Sequence, residues 1–337
     1  MATTRMLKCW FKHMNGRLHA SIAIAATAAL LASSTALAAF PERPLRLIVP
    51  FPAGNPLDVR ARQLSNHLPK ILGQQVVVDN RGGASGSIAM QMAAAALADG
   101  YTVLFANSTQ LASNPAMAAS LPYDVFKDYI AVCLLARTPS FLVVSNTLPV
   151  KSLAELIAHA KTKPGQLNFA SQGNGSVQHI AGELFMRLTG TQMIHVPYKV
   201  YSQLVSDLFV GQISMIIGGT PVLIPHVQGG RLRGLAVNTK KRLPAVPAVP
   251  TFDEAGVADF WIAPWYGVLV PAKTPAAVVQ TLNAAFNQAL RAPDVIDIAN
   301  AEGQTLIGSS APEFAEHIKT EIARYRQLVR SANIRAD

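Results

Sequence analysis

Val49-Pro50-Phe51-Pro52-Ala53-Gly54-Asn55-Pro56-Leu57-Asp58 joins an apolar stretch to a helical pattern, and its reading decides the fold. Before it, Leu45-Arg46-Leu47-Ile48-Val49 has the aliphatic content of a buried strand. Within it, Gly54 makes a turn and Asn55 is a good N-cap. Pro56 suits the first helical position, and Asp58 falls at the third, where a carboxylate faces the positive end of the helix dipole. Leu57, Ala61, Leu64, Leu68 and Ile71 recur at helical spacing, and Gly73 ends the predicted helix. Val76-Val77-Val78 is the next strand, so the segment is a strand–helix–strand unit.

The unit repeats outward. Asn80-Arg81-Gly82-Gly83-Ala84-Ser85-Gly86 is a glycine-rich loop before an alanine-rich helix that stops by Gly100, and Tyr101–Phe105 is a third strand ending in Asn107-Ser108. A second set opens at the capping box Ser152-Leu153-Ala154-Glu155. Pro164-Gly165 turns the chain into a strand at 167–170, and Ser171–Ser176 opens a helix from Val177 to about Leu188. Further strands are predicted at 194–196, 214–217 and 235–237, a proline-rich connector at 244–250, a long strand at 261–271, and helices at 275–290 and 312–331. Strands alternating with helices imply a mostly parallel sheet covered on both faces, with ligands outside the strand carboxyl ends.

Two apolar extended segments, Ile130–Ser145 and Trp261–Val270, bracket the second set. The expected fold is therefore α/β with two lobes, each a mixed, mostly parallel sheet flanked by helices, joined by two crossover strands with a cleft between. Residues 40–140 and 261–337 would form the first lobe and residues 141–260 the second. Residues 1–39 read as a cleaved secretory signal. Arg5, Lys8, Lys12 and Arg17 precede a weakly apolar stretch, Ile22–Leu37, closed by Ala36-Leu37-Ala38-Ala39. Export from the cytoplasm follows.

The 337-residue chain carries a formal charge of +10, and four of those charges leave with the signal. The remaining Lys and Arg are scattered, with no run beyond Lys240-Lys241-Arg242, which argues against nucleic-acid binding. Cys133 is the one cysteine outside the signal, so no intrachain disulfide is expected, and its apolar neighbours mark a packed thiol. No metal-ligand spacing, Walker lysine or Gly-x-Ser-x-Gly elbow is present. Gly173-x-Gly175 is followed by Gln178 where a dinucleotide fingerprint needs its third glycine. No cofactor, metal or enzymatic activity is expected.

Three loops from strand to helix carry the chemistry: Phe51–Asp58, Asn80–Gly86 and Gly173–Ser176. Glycine admits close backbone approach, and helix-opening N–H groups are unpaired donors at a positive dipole end. Converging on a cleft, such ends hold a carboxylate without an arginine; taken singly, each glycine also serves a plain turn. Asp58 reads either as a ligand acceptor or as a carboxylate stabilising its own helix. His179 and His195 read as structural, and Tyr198 as a cleft residue.

In family order, the segments Pro41–Asp58, Asn80–Gly86, Asp99-Gly100-Tyr101, Leu121–Asp124, Gly173–Gly175, His179–Phe185, His195–Lys199 and Trp265-Tyr266-Gly267 resemble the substrate-binding proteins of tripartite tricarboxylate transporters, the Bordetella uptake gene family. The resemblance implies a two-lobed periplasmic binding protein of the type II kind, monomeric, which closes around a small carboxylate and presents it to membrane permease subunits. Carried over, the ligand residues are Phe51, Ala53, Gly54, Asn55, Asp58, Asn107 and Ser108 in the first lobe. In the second they are Gly173, Asn174, Gly175, Ser176, Tyr198, Gly219 and Thr220. Departures from the pattern are Asn55 in place of a glycine, Val200-Tyr201 in place of a small residue, and Gly218-Gly219 in place of an Asp-Asn pair. An extracytoplasmic sensor domain and a cleft hydrolase are the alternative readings.

Overall fold

Asn55 caps the first helix as its sequence dictates: its Oδ1 accepts from the Leu57 N–H at 2.8 Å, and Pro56 takes the first helical position. The structure is a computed structural model describing residues 40–118 and 120–331. The predicted signal segment, residues 1–39, lies outside the described residues.

Strand β1 (Leu45–Val49) leads into helix α1 (Pro56–Ser65), a short helix α2 (Leu68–Leu72) and strand β2 (Val76–Asn80). The single helix expected up to Gly73 is thus broken at Asn66-His67. Pro69 has no N–H for the Ser65 carbonyl, and its ring crowds that turn. Gly73 then closes α2 in the left-handed conformation. Helix α3 (Ser87–Ala94) and strand β3 (Thr102–Asn107) follow, and a π-helical turn at Thr109–Ser113 runs into α4 (Asn114–Met117).

Strands β4 (Tyr129–Arg137) and β5 (Ser140–Ser145) divide the long apolar segment at Thr138-Pro139. The second set comprises α5 (Leu153–Thr162), β6 (Asn168–Ser171), α6 (Val177–Thr189), β7 (Ile194–Pro197), α7 (Tyr201–Phe209), β8 (Met215–Gly219), α8 (Thr220–Gln228) and β9 (Leu232–Val237). After the connector come β10 (Trp265–Pro271), α9 (Ala276–Ala289), α10 (Pro293–Glu302), β11 (Thr305–Leu306) and α11 (Ala311–Ser331). The strand predicted from Trp261 therefore starts only at Trp265.

The strands form two sheets, ordered β11-β4-β10-β3-β1-β2 and β7-β6-β8-β5-β9. Both are mixed, with less parallel pairing than the sequence implied. Parallel pairs are confined to β1 with β2 and β3, and β6 with β7 and β8. Strands β4, β5, β10 and β11 pair antiparallel throughout. The physical reason is the chain path. Helix-linked units feed parallel strands, whereas β5 and β10 enter from the other sheet. The chain crosses between β4 and β5 and returns between β9 and β10.

Trp265 is fully buried on β10, its ring edge-on to Phe314 and its Nε1 donating to Glu321 Oε2 at 2.9 Å, which ties α11 to the first sheet. In the second sheet, Gly182 of α6 lies so close to Phe169 of β6 that a Cβ would stand 2.2 Å from the ring. Burial pushes the Cys133 thiol up to about 12, so it sits in β4 as a packed apolar group.

Candidate functional site

The first-sheet loop is framed by Asp58. Its Oδ2 accepts from the Gly54 N–H at 2.9 Å, and its Oδ1 accepts from Arg62 Nε and Asn80 Nδ2, each at 2.9 Å. Asn80 Nδ2 also reaches the Phe51 carbonyl at 2.9 Å. Both carboxylate oxygens are therefore committed to holding the turn, with Gly54 at φ +80°, a value that suits glycine. Of the two readings of Asp58, this geometry supports the structural one. Ala53 and Gly54 are exposed, and Phe51 is buried beneath them.

The glycine loops of the two sheets meet. Ser85 Oγ donates to the Asn174 carbonyl at 3.0 Å, and Ser113 Oγ donates to the Gly175 carbonyl at 2.7 Å. Val177 N–H donates to Thr109 Oγ1 at 3.3 Å. Ser85 sits at φ +50°, held there as its carbonyl accepts from Gln110 Nε2 and Asn114 Nδ2. Gly173, at φ +111°, passes so close to Ser85 that a Cβ would stand 2.8 Å from its hydroxyl. Asn107 and Ser108 end β3 nearby. Asn107 Oδ1 caps the π-turn through the Thr109 N–H, and buried Ser108 accepts from the Trp265 N–H at 3.4 Å.

Beside this seam lies a cavity of about 40 Å³. Asn55, Pro56 and Leu57 reach it from the start of α1, Gln178 from the start of α6, and Gly219 with Pro221 from the start of α8. Three helix N-termini, one from the first sheet and two from the second, thus open on one small volume, each presenting the positive end of its dipole. Asn107, Gln172, Trp265 and Tyr266 complete much of the wall, and Arg60 enters from the second turn of α1. Burial pushes the Tyr266 hydroxyl up to about 12, so it stays a donor, to Gln304 Oε1 at 3.0 Å. A larger groove of about 690 Å³ borders Arg137, Lys240 and Lys241, but no helix N-terminus opens on it.

Behind the second-sheet loop, His179 and His195 stack with ring centroids 3.9 Å apart. The Gly175 N–H donates to His179 Nδ1 at 3.2 Å, and His195 Nε2 lies 2.6 Å from Ser171 Oγ, which in turn bonds Gly173. Ser176 caps α6, its Oγ accepting from the His179 N–H. Burial, reinforced by His179, lowers His195 to about 3, so the His195 ring stays uncharged. The histidines thus brace the loop, as expected.

Of the predicted residues, Asn55, Asn107 and Gly219 line the cavity. Gly173, Asn174, Gly175 and Ser176 form the seam beside it, and Thr220 is buried immediately after Gly219. Tyr198 stands outside the cavity lining, half-buried, its hydroxyl donating to Asp207 Oδ2 at 2.6 Å. Sequence reasoning missed Arg60, Gln172 and Gln178 as wall residues. In the sequence Gln178 reads only as a missing third glycine, although its place in the first turn of a capped helix is the available signal. No group of three or more His, Cys, Asp or Glu residues able to hold a metal occurs among the described residues.

The family model described as "Tripartite tricarboxylate transporter family receptor" matches residues 60–334. The protein BugT of Bordetella pertussis is 37% identical over 315 residues, covering 93% of this chain and 97% of its own. An R. palustris protein solved with adipate superposes with a TM-score of 0.84 at 34% identity, over 88% of this chain and 99% of its own. MatC from Rhodopseudomonas palustris, with bound malate, gives 0.80 at 30% identity, over 86% and 100%. These neighbours are solute-binding proteins rather than enzymes.

Proposed function

The chain belongs to the tripartite tricarboxylate transporter receptor family, whose members are periplasmic binding proteins, and on that premise we propose that it captures a small organic carboxylate between its two sheets and presents it to membrane permease subunits. In this proposal residues 40–140 and 261–337 form one lobe and residues 141–260 the other. The signal at residues 1–39 delivers the chain to the periplasm. The observation that carries the proposal is the convergence of α1, α6 and α8, drawn from both sheets, on one cavity. Unpaired N–H groups at such ends favour an anion, and a grip shared between lobes ties binding to closure. The adipate and malate held by the two relatives are anions of the class this arrangement suits.

The test is mass spectrometry of solute released from natively purified protein, joined to thermal-shift screening of mono-, di- and tricarboxylates. An unchanged carboxylate recovered, and the same compound raising the melting temperature, is the expected result. A recovered solute without an acid group, or no shift with any carboxylate, overturns the proposal. Loss of uptake of that compound on deleting adjacent permease genes tests the transport step.

A further inference from the structure

Arg60 is unusual for a cleft that the sequence expected to work without a guanidinium. It is only 4% exposed, although its neighbour Arg62, two residues on, faces solvent. Its Nη2 pairs with Glu302 at the end of α10, and its Nη1 donates to Gln63 Oε1 at 2.6 Å. Its Nε is buried and has no protein partner. The Nδ2 of Asn55, a residue 2% exposed whose Oδ1 is used up in capping α1, is buried and unpartnered in the same way. Both residues line the cavity. Buried donors are almost always satisfied, so two from successive turns of one helix at one cavity call for an acceptor there.

The charges narrow the class. Glu302 already neutralises Arg60, and three helix N-termini add partial positive charge, so the surroundings suit a single negative charge better than a dianion. Two N–H donors from two residues match the two oxygens of one carboxylate. Resting on the carboxylate reading above, we propose that Arg60 is the specificity residue of this cleft. Arg60 Nε and Asn55 Nδ2 take the two oxygens of one acid group of the solute, while Glu302 holds the guanidinium in place.

The test compares acids with their amides, using adipate against adipamide and malate against malamide as calorimetric probes. Three proteins are used: the unmodified chain, Arg60→Lys, and the double variant Arg60→Gln/Glu302→Gln. Arg60→Lys keeps the charge and loses Nε. The double variant removes both buried charges together, and thermal melting establishes that it folds. A merely structural role weakens acid and amide alike. A gripping role cuts the preference for acid over amide by about ten- to a hundredfold in both variants, the range expected of a charged hydrogen bond. An undiminished preference in both variants overturns the assignment and assigns the two donors to ordered water. If the unmodified protein answers to neither acid, the carboxylate found by the thermal-shift screen and its amide replace them; no response to any carboxylate overturns the carboxylate reading and the assignment with it.

Discussion

Gly219, the last residue of β8, and Pro56, the first of α1, belong to different sheets, yet a Cβ on Gly219 would stand 3.7 Å from the Cβ of Pro56. That is ordinary contact distance, and Gly219 has φ −75°, which any residue adopts. Gly219→Ala is therefore expected to melt and bind like the unmodified protein. Gly219→Trp has no room at this contact and wedges the two sheets apart, so the bound, closed state is disfavoured while the fold survives. A loss of affinity of about tenfold or more, with a melting temperature within a few degrees, is expected from calorimetry and differential scanning.

Ser113 reaches across the seam to the Gly175 carbonyl at 2.7 Å and is buried. Removing its hydroxyl leaves that carbonyl unpaired only when the lobes are shut. Ser113→Ala is expected to cost the empty, shut state about 1 kcal/mol, roughly a fivefold fall in its weight against the open one. A higher plateau in the association rate at high solute concentration, with little change in dissociation, is the signature to look for by surface plasmon resonance.

Asp58 holds the first loop through three donors: the Gly54 N–H, Arg62 Nε and Asn80 Nδ2. Asp58→Ala removes the buried acceptor that all three share and is expected to lower unfolding free energy by about 2 kcal/mol in urea denaturation. Asp58→Asn, which retains one acceptor oxygen, is expected to cost less. A ligand-contacting Asp58 would show the opposite balance, with affinity lost and stability kept.

Stability should fall on acidification. Burial lowers His195 to about 3, and burial also lowers His226 and His317, so all three resist protonation when folded. Unfolded histidines take up protons near pH 6.5, so between about pH 6.5 and 3 the unfolded state binds more protons and gains in weight. Burial raises Glu183, which works in the opposite sense above its ordinary value. With three histidines against one glutamate, a drop of roughly 5 °C in melting temperature from pH 7.5 to 5 is expected. His195→Phe keeps the stack on Phe169 and should flatten that slope.

Much of the frame was legible because local chemistry decided it. Asn55, Ser152 and Ser176 each cap a helix where the sequence placed one, and β1 to β3 follow their aliphatic runs. What escaped depended on distant partners. Pro69 breaks a helix whose apolar spacing continues through it, so periodicity alone predicts one helix where there are two. Helices α7, α8 and α10 were missed because their apolar faces are defined by the sheets they cover. Arg60, next door to exposed Arg62, has the look of a solvated residue. Its burial is intelligible only through Glu302, 242 positions along the chain.

A cavity of about 40 Å³ has room for only a few waters. A solute the size of malate or adipate cannot reach the three helix ends while the seam between Ser113 and Gly175 is made. Association is then a sequence of parting and filling, and its observed rate must level off at high solute concentration. The plateau is set by how often those hydroxyl latches release, a property of the protein alone and the same for every solute it accepts.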